Sequence, residues 1–183
     1  MLIDSSQSTL LIIDVQDKLF SKIENHKEIL AVIEKITLAF HIMDLPIVYS
    51  EQYPNGLGST IKSLKEKLLD IKSTRIEKTT FSCFANNNKI LLEKNLIKGK
   101  QVILCGIETH ICVLQTAVDL KNLGYQVFIV EDAVGSRNIR DKKQAIKRLL
   151  KYDVSLITLE MLIFELVRDS KHEHFKQLSN IIK

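Results

Sequence analysis

Tryptophan is absent from the chain, and proline and glycine are nearly so. Two Pro and six Gly stand among 183 residues, where average usage of about 7% Gly and 5% Pro would give roughly 22. That scarcity excludes collagen-like, low-complexity and Pro-rich linker proteins, and it makes every Gly and Pro a marked position. Cysteine is also sparse. Three Cys with no C-x-x-C spacing exclude a disulfide scaffold and the commonest zinc and redox motifs. Free thiols fit a reducing compartment, so a cytoplasmic location is expected. No apolar run reaches the roughly 18 residues of a membrane-spanning helix. The opening stretch MLIDSSQSTL has an acid and no basic segment, unlike a secretory leader. Only five of the 26 basic residues are Arg, and 22 acids interleave with them to leave a net charge of +4. Arg forks favour phosphate and base-edge readout, so this balance predicts a Lys-rich solvated surface, with no nucleic-acid and no membrane partner.

What is present is alternation. Hydrophobic residues make up 45% and charged residues 26% of the chain, ordinary values for one globular domain over 1–183. Residues 9–13 (TLLII) predict a buried strand ending at Asp14. From 24 to 43, Ile29, Leu30, Ile33, Ile36, Leu38, Phe40 and Met43 recur at helical spacing, and Pro46 stops that helix. IVYS (47–50) predicts the second strand and EQYPNGLG (51–58) a loop. A short helix at 59–69 and an extended segment at 74–79 follow. A helix is expected at 87–97 with Gly99 near its C-cap, then a strand over 101–106. The run ETHICVLQTAVDLKNLG predicts a helix ended by Gly124. Strand 126–132, a turn at 133–137 with Gly135, a basic helix at 139–151, a strand at 154–158 and two helical pieces complete the chain. Continuous apolar strands alternating with amphipathic helices indicate an α/β fold with a mostly parallel sheet. Ligands of such sheets gather at the carboxyl ends of strands. Asp14, Ser50–Gly58, Lys78 and Gly106–Cys112 all follow strands.

Cys112 lies just past a strand, near a helix start, where unpaired N–H groups and the helix dipole favour thiolate. Buried packing is its other reading. Cys105, inside VILC, reads as a core residue, and Cys83 in FSCF as core or pocket wall. Asp14 ends an apolar strand, where an acid is costly unless it is paired or exposed at a site. Lys78 holds a comparable place, or is a solvated loop lysine. An acid, a lysine and a helix-start thiol converging on one sheet edge suit nucleophilic catalysis. On that reading Cys112 outpaces Cys83 and Cys105 in alkylation, and Asp14→Ala slows it. His110 is two residues from Cys112, a spacing that points side chains apart on a helical turn. His172 and His174 read as solvated.

The stretches LLIIDVQDKLF (10–20), EKTTFSCF (77–84) and GIETHICVLQTAVDLKNLGYQVFIVEDAVGSR (106–137) resemble the isochorismatase-like cysteine hydrolases. EQYPNGLGST, EMLIFELV and HEHFKQLSNIIK are most similar to the isochorismatase-domain-containing subgroup. The resemblance implies a three-layer α/β/α, Rossmann-like fold on a six-stranded sheet. It also implies Cys112 as nucleophile, Asp14 as general acid/base and Lys78 as third member of a triad. A cis Ile107–Glu108 peptide is implied, with the N–H groups of Glu108 and Cys112 as an oxyanion hole. YSEQYPNGLG lacks the Asp/His cluster with which nicotinamidases of the family bind metal, so no metal and no other cofactor is expected.

The expected activity is hydrolysis of a small amide-like carbonyl substrate, at carbon–nitrogen bonds other than peptide bonds, through a covalent acyl-enzyme. Gln16, Phe20, Gln52, Tyr53 and Leu57 are the expected pocket residues. Relatives commonly form dimers or larger closed assemblies, so a homo-oligomer is expected. Two other readings use the same fold: a non-catalytic oligomeric scaffold, with MLIFELV as an interface, and a thiol-redox protein using Cys83 and Cys112.

Overall fold

The computed structural model describes residues 1–71, 73–85 and 96–183. Six parallel strands form one sheet: β1 (Ser8–Ile13), β2 (Ile47–Gln52), β3 (Thr74–Lys78), β4 (Gln101–Ile107), β5 (Gln126–Gly135) and β6 (Ser155–Ile157). Their spatial order is β3-β2-β1-β4-β5-β6. The chain winds outward from β1 in one direction, then returns to its other side at β4. That reversal is the topological switch point at which open α/β sheets bind ligands.

β1 is buried along its whole length, as both faces of a helix-covered parallel sheet must be. Its side chains alternate between two cores. Leu10 and Ile12, with Ile103, Cys105, Phe128 and Val130, face the layer of α2 (His26–Ile42), α7 (Leu159–Val167) and α8 (Phe175–Ile181). Leu11 and Ile13, with Val102, Leu104, Val127 and Ile129, face α5 (Leu114–Asn122) and α6 (Ile139–Lys151). Each such Leu or Ile contributes about 1.5–3 kcal/mol by leaving water. On α2 the buried stripe is Ile29, Ile33, Ile36 and Phe40, while Leu38 faces outward. Shorter helices α1 (Asp17–Phe20), α3 (Pro54–Leu57) and α4 (Lys62–Asp70) connect the strands on the β2–β3 side.

Several boundaries differ from the sequence expectation. β2 runs two residues beyond IVYS, so Gln52 ends a strand instead of opening a loop. β5 continues through Gly135, replacing the expected turn at 133–137. Gly135 is required by packing there: a Cβ would fall 2.5 Å from Ile23 Cγ2 and 2.6 Å from Ile29 Cδ1. The helix expected at 87–97 lies outside the described residues except for its last two positions, which are not helical. Gly106 pairs with Ile13 in the β1–β4 ladder. It has φ +109, and a Cβ on it would meet the Ile13 carbonyl oxygen at 2.1 Å. Only glycine lets β4 pass β1 that closely at the switch point.

Candidate active site

The carboxyl ends of β1, β3 and β4 bring Asp14, Lys78 and the segment following Gly106 together at the switch point. Asp14 follows β1 directly with φ +50, a left-handed conformation that Asp tolerates better than most residues. It turns its carboxylate back under the sheet edge, where it is 1% exposed. Oδ1 accepts from Ser50 Oγ at 2.7 Å, and Oδ2 accepts from Lys78 Nζ at 2.6 Å. Lys78, with no side-chain exposure, also donates to Gln52 Oε1 at 2.7 Å, Phe81 O at 3.1 Å and Thr80 O at 3.3 Å. Burial is the largest single influence and disfavours its charge, but Asp14, Cys83 and Cys112 together outweigh it and hold the ammonium above the ordinary lysine range.

Cys112 lies in a π-helical turn, Thr109–Val113, closed by a bond from Val113 N to Glu108 O and leading into α5. Single π turns inside helices recur at functional sites. The Asp14 carboxylate is near enough to act on the Cys112 thiol by its charge and as an acceptor. Burial, then the negative charge of Asp14, push the thiol well above its usual range, and Lys78 opposes them only in part. The helix-end field, which favours thiolate, loses to desolvation and a nearby carboxylate, and Asp14 is left to take the thiol proton.

Cys83 is fully buried beside this group. Its N–H donates to Thr116 Oγ1 at 3.1 Å, and Thr116 stands one helical turn beyond Cys112. Burial pushes the Cys83 thiol up to about 11. Cys105 faces the opposite core, where burial alone raises it.

The expected pocket residues divide. Gln16 is completely buried and spends its amide on the frame. It donates to Gln52 O at 3.0 Å and Gly58 O at 2.6 Å, and accepts from Gln52 N at 2.7 Å. Gln52 donates to Thr79 O at 2.7 Å while accepting from Lys78. Both are positioning residues. Phe20 is corrected: it packs in the α2-side core, edge-on to His26, because α1 turns its apolar side inward. Tyr53 is half exposed and lines a cleft of about 310 Å³ with Pro54, Asn55, Glu77, Lys78, Thr79 and Thr80. Neither Asp14 nor Cys112 is among that cleft's lining residues. Leu57 is half-buried in α3.

Three contributors escaped the sequence reading. Ser50 was placed at the right edge but without its bond to Asp14. Thr116 orders Cys83. The Glu108 carboxylate accepts from Arg137 N at 3.0 Å and Arg137 Nε at 3.2 Å. The only available signal was placement, since each lies at a strand end or on the Cys112 helix. The Ile107–Glu108 peptide is cis. His110 Nδ1 lies 3.0 Å from Ser136 Oγ, directing the ring to the β5 end. Among the described residues no group of three His, Cys, Asp or Glu side chains is arranged to hold a metal ion. No helix among them is long and apolar enough to cross a membrane.

Residues 8–161 match the isochorismatase domain family. The chain is 36% identical over 173 residues to isochorismatase domain-containing protein 1 of Danio rerio, covering 93% of this chain and 59% of that protein. Among solved structures it is similar to the MAR1 ribonuclease of Caenorhabditis elegans, with TM-score 0.91, 37% identity and coverage of 100% and 92% of the two chains. The Escherichia coli YcaC gene product, described as an octameric hydrolase of unknown specificity, shares the fold at TM-score 0.85 and 22% identity, over 99% and 94% of the chains. The six-stranded α/β fold, the match over residues 8–161 and the similarity over nearly the whole chain together show that this protein belongs to the isochorismatase family.

Proposed function

We propose that the protein is a cysteine hydrolase that cleaves a small amide-like carbonyl compound through an acyl-enzyme on Cys112. The observation that carries this reading is the buried Lys78–Asp14 pair, closed at 2.6 Å, with the Cys112 thiol buried within reach of the same carboxylate's charge. Such a group moves one proton at a time without changing its net charge, which a low-dielectric site favours.

As Cys112 Sγ attacks the substrate carbon, its proton passes to Asp14 and the carbonyl π electrons move onto oxygen. The N–H groups of Glu108 and Cys112 serve that oxygen as donors. Collapse breaks the carbon–nitrogen bond, and Asp14 hands its proton to the departing amine. Water then loses a proton to Asp14 and attacks the thioester. Collapse expels the Cys112 sulfur, which takes that proton back, and the carboxylic acid leaves. Lys78 stays protonated throughout and limits the charge that accumulates on Asp14 and Cys112.

Phosphodiester cleavage, which the name of the nematode relative raises, asks for a cation facing a phosphate. Lys78 is buried, with four acceptors already around its ammonium, so the site favours acyl chemistry. The redox reading asks for a thiolate, whereas burial raises both Cys83 and Cys112. Ammonia release from a panel of small aliphatic and aromatic primary amides tests the proposal, with a single-stranded RNA substrate in parallel. At least one amide should be turned over by the wild type and not by Cys112→Ala. RNA cleavage that persists in Cys112→Ala, with no amide turned over by either protein, would reject the reading.

A further inference from the structure

The even overall balance of charge conceals an uneven distribution. α6 contains six basic residues and one acid, IRDKKQAIKRLLK, out of 26 and 22 in the chain. Without this helix the protein carries 20 basic and 21 acidic residues. The excess positive charge of the molecule therefore resides on one helix of 13 residues.

The helix is also ordered by face. Ala145 and Leu149 point into the core. The opposite face exposes Arg140, Lys143, Gln144, Lys147, Arg148 and Lys151, five cations and one neutral amide with no acid among them, together with Ile139 and Leu150. Arg140, Lys143, Lys147 and Lys151 recur at intervals of three and four residues, so they form one row about 17 Å long at 1.5 Å per residue. None of the five cations takes part in a salt bridge among the described residues. One turn beyond Arg148, beside the C-terminal end of the row, stands Tyr152, 40% exposed. At the other end Arg137 is held by Glu108, and the helix packs on the π turn that bears Cys112.

We infer that the outer face of α6 binds the phosphodiester backbone of single-stranded nucleic acid. A row of cations ending in an exposed aromatic ring is the combination that grips such a strand, the charges following phosphates and the ring stacking a base. Two of the five Arg in the chain, Arg140 and Arg148, lie on this face, supplying forks that match phosphate oxygens. An anionic membrane fits less well. A helix lying on a bilayer buries a continuous apolar face in lipid, and here Ala145 and Leu149 are committed to the protein core, leaving only Ile139 and Leu150 exposed beside the cations. The row contacts phosphate rather than sugar, so RNA and DNA strands are bound equally. This inference is independent of the chemistry proposed for Cys112.

Fluorescence anisotropy with labelled 20-nucleotide oligo(U) and oligo(dT), titrated at several salt concentrations, tests it. Five phosphate contacts at about 0.7 each give an expected slope of about −3.5 for log affinity against log salt. The variant R140Q/K143Q/K147Q/K151Q retains Arg148, so its slope should fall to about −0.7. Tyr152→Ala should weaken binding about tenfold while leaving the slope unchanged. Circular dichroism and the rate of Cys112 alkylation should be the same for all these proteins, since none of the substituted residues belongs to the site. The inference is overturned by absence of salt-dependent binding to either strand, or by equal binding of the quadruple variant. Binding to phosphatidylserine vesicles without binding to either oligonucleotide overturns it as well.

Discussion

Lys78→Met is expected to lower the unfolding free energy at pH 7 by about 3–5 kcal/mol, the usual cost of leaving one member of a buried ion pair alone. Methionine keeps most of the side-chain volume but removes the ammonium from Asp14, which remains 1% exposed. It also strips a donor from the carbonyls of Thr80 and Phe81 and from Gln52. The double variant Asp14→Asn/Lys78→Met should recover part of the loss, because it no longer buries an unpaired charge. The pH dependence has a definite sign. In the folded protein Lys78 titrates above the ordinary lysine value near 10.4. Its stabilising contribution is therefore complete below that value and is lost as pH rises through the folded one. Urea denaturation should show a difference between wild type and Lys78→Met that is flat from pH 6 to 9 and shrinks at higher pH. A loss under about 1 kcal/mol, the range of an exposed pair, would contradict the buried pair.

Asp14→Asn is expected to separate two properties that a damaged fold would lose together. Removing the acid–base group should lower kcat by about 10²–10⁴-fold. The same change should make Cys112 easier to ionise, because the Asp14 carboxylate is one of the groups raising its pKa while Lys78 opposes it. The pH midpoint for iodoacetamide labelling of Cys112 should therefore move down from its wild-type position, which lies above the ordinary thiol value of about 8.5. This reverses the slower labelling of Asp14→Ala expected from Asp14 as acceptor of the thiol proton. Labelling of Cys112, read by peptide mass spectrometry with buried Cys105 as internal reference, checks the point. A parallel fall in turnover and labelling would mean that Asp14 serves only to hold the fold.

Much of this architecture is legible in the residues themselves. Strands β1 and β4 announce themselves because a strand buried on both faces must be apolar throughout, and TLLII and QVILCG are. Asp14 stands out because a charge at the end of such a strand is costly without a partner, while Lys78 is marked by ending a strand and Cys112 by lying between a strand and a helix. Other features depend on contacts between segments far apart in the chain. Phe20 cannot be assigned to pocket or core until α1 has a direction, and Ser50 gains its role only from a carboxylate 36 residues away. The protonation of Cys112 is likewise decided by burial and by Asp14, neither of which a helix-end argument contains. The charge of α6 is written in the sequence, but its single-sided arrangement emerges only once Ala145 and Leu149 are buried.

The acyl-enzyme itself offers the most direct measurement. Wild-type protein is mixed with an amide that it turns over, quenched in acid within the first turnovers and mapped by peptide mass spectrometry. The mechanism predicts an acyl group on the peptide carrying Cys112, released by hydroxylamine as a thioester would be, and absent from Cys112→Ala. Amide turnover that continues undiminished in Cys112→Ala, with no hydroxylamine-labile adduct on the wild type, would contradict it.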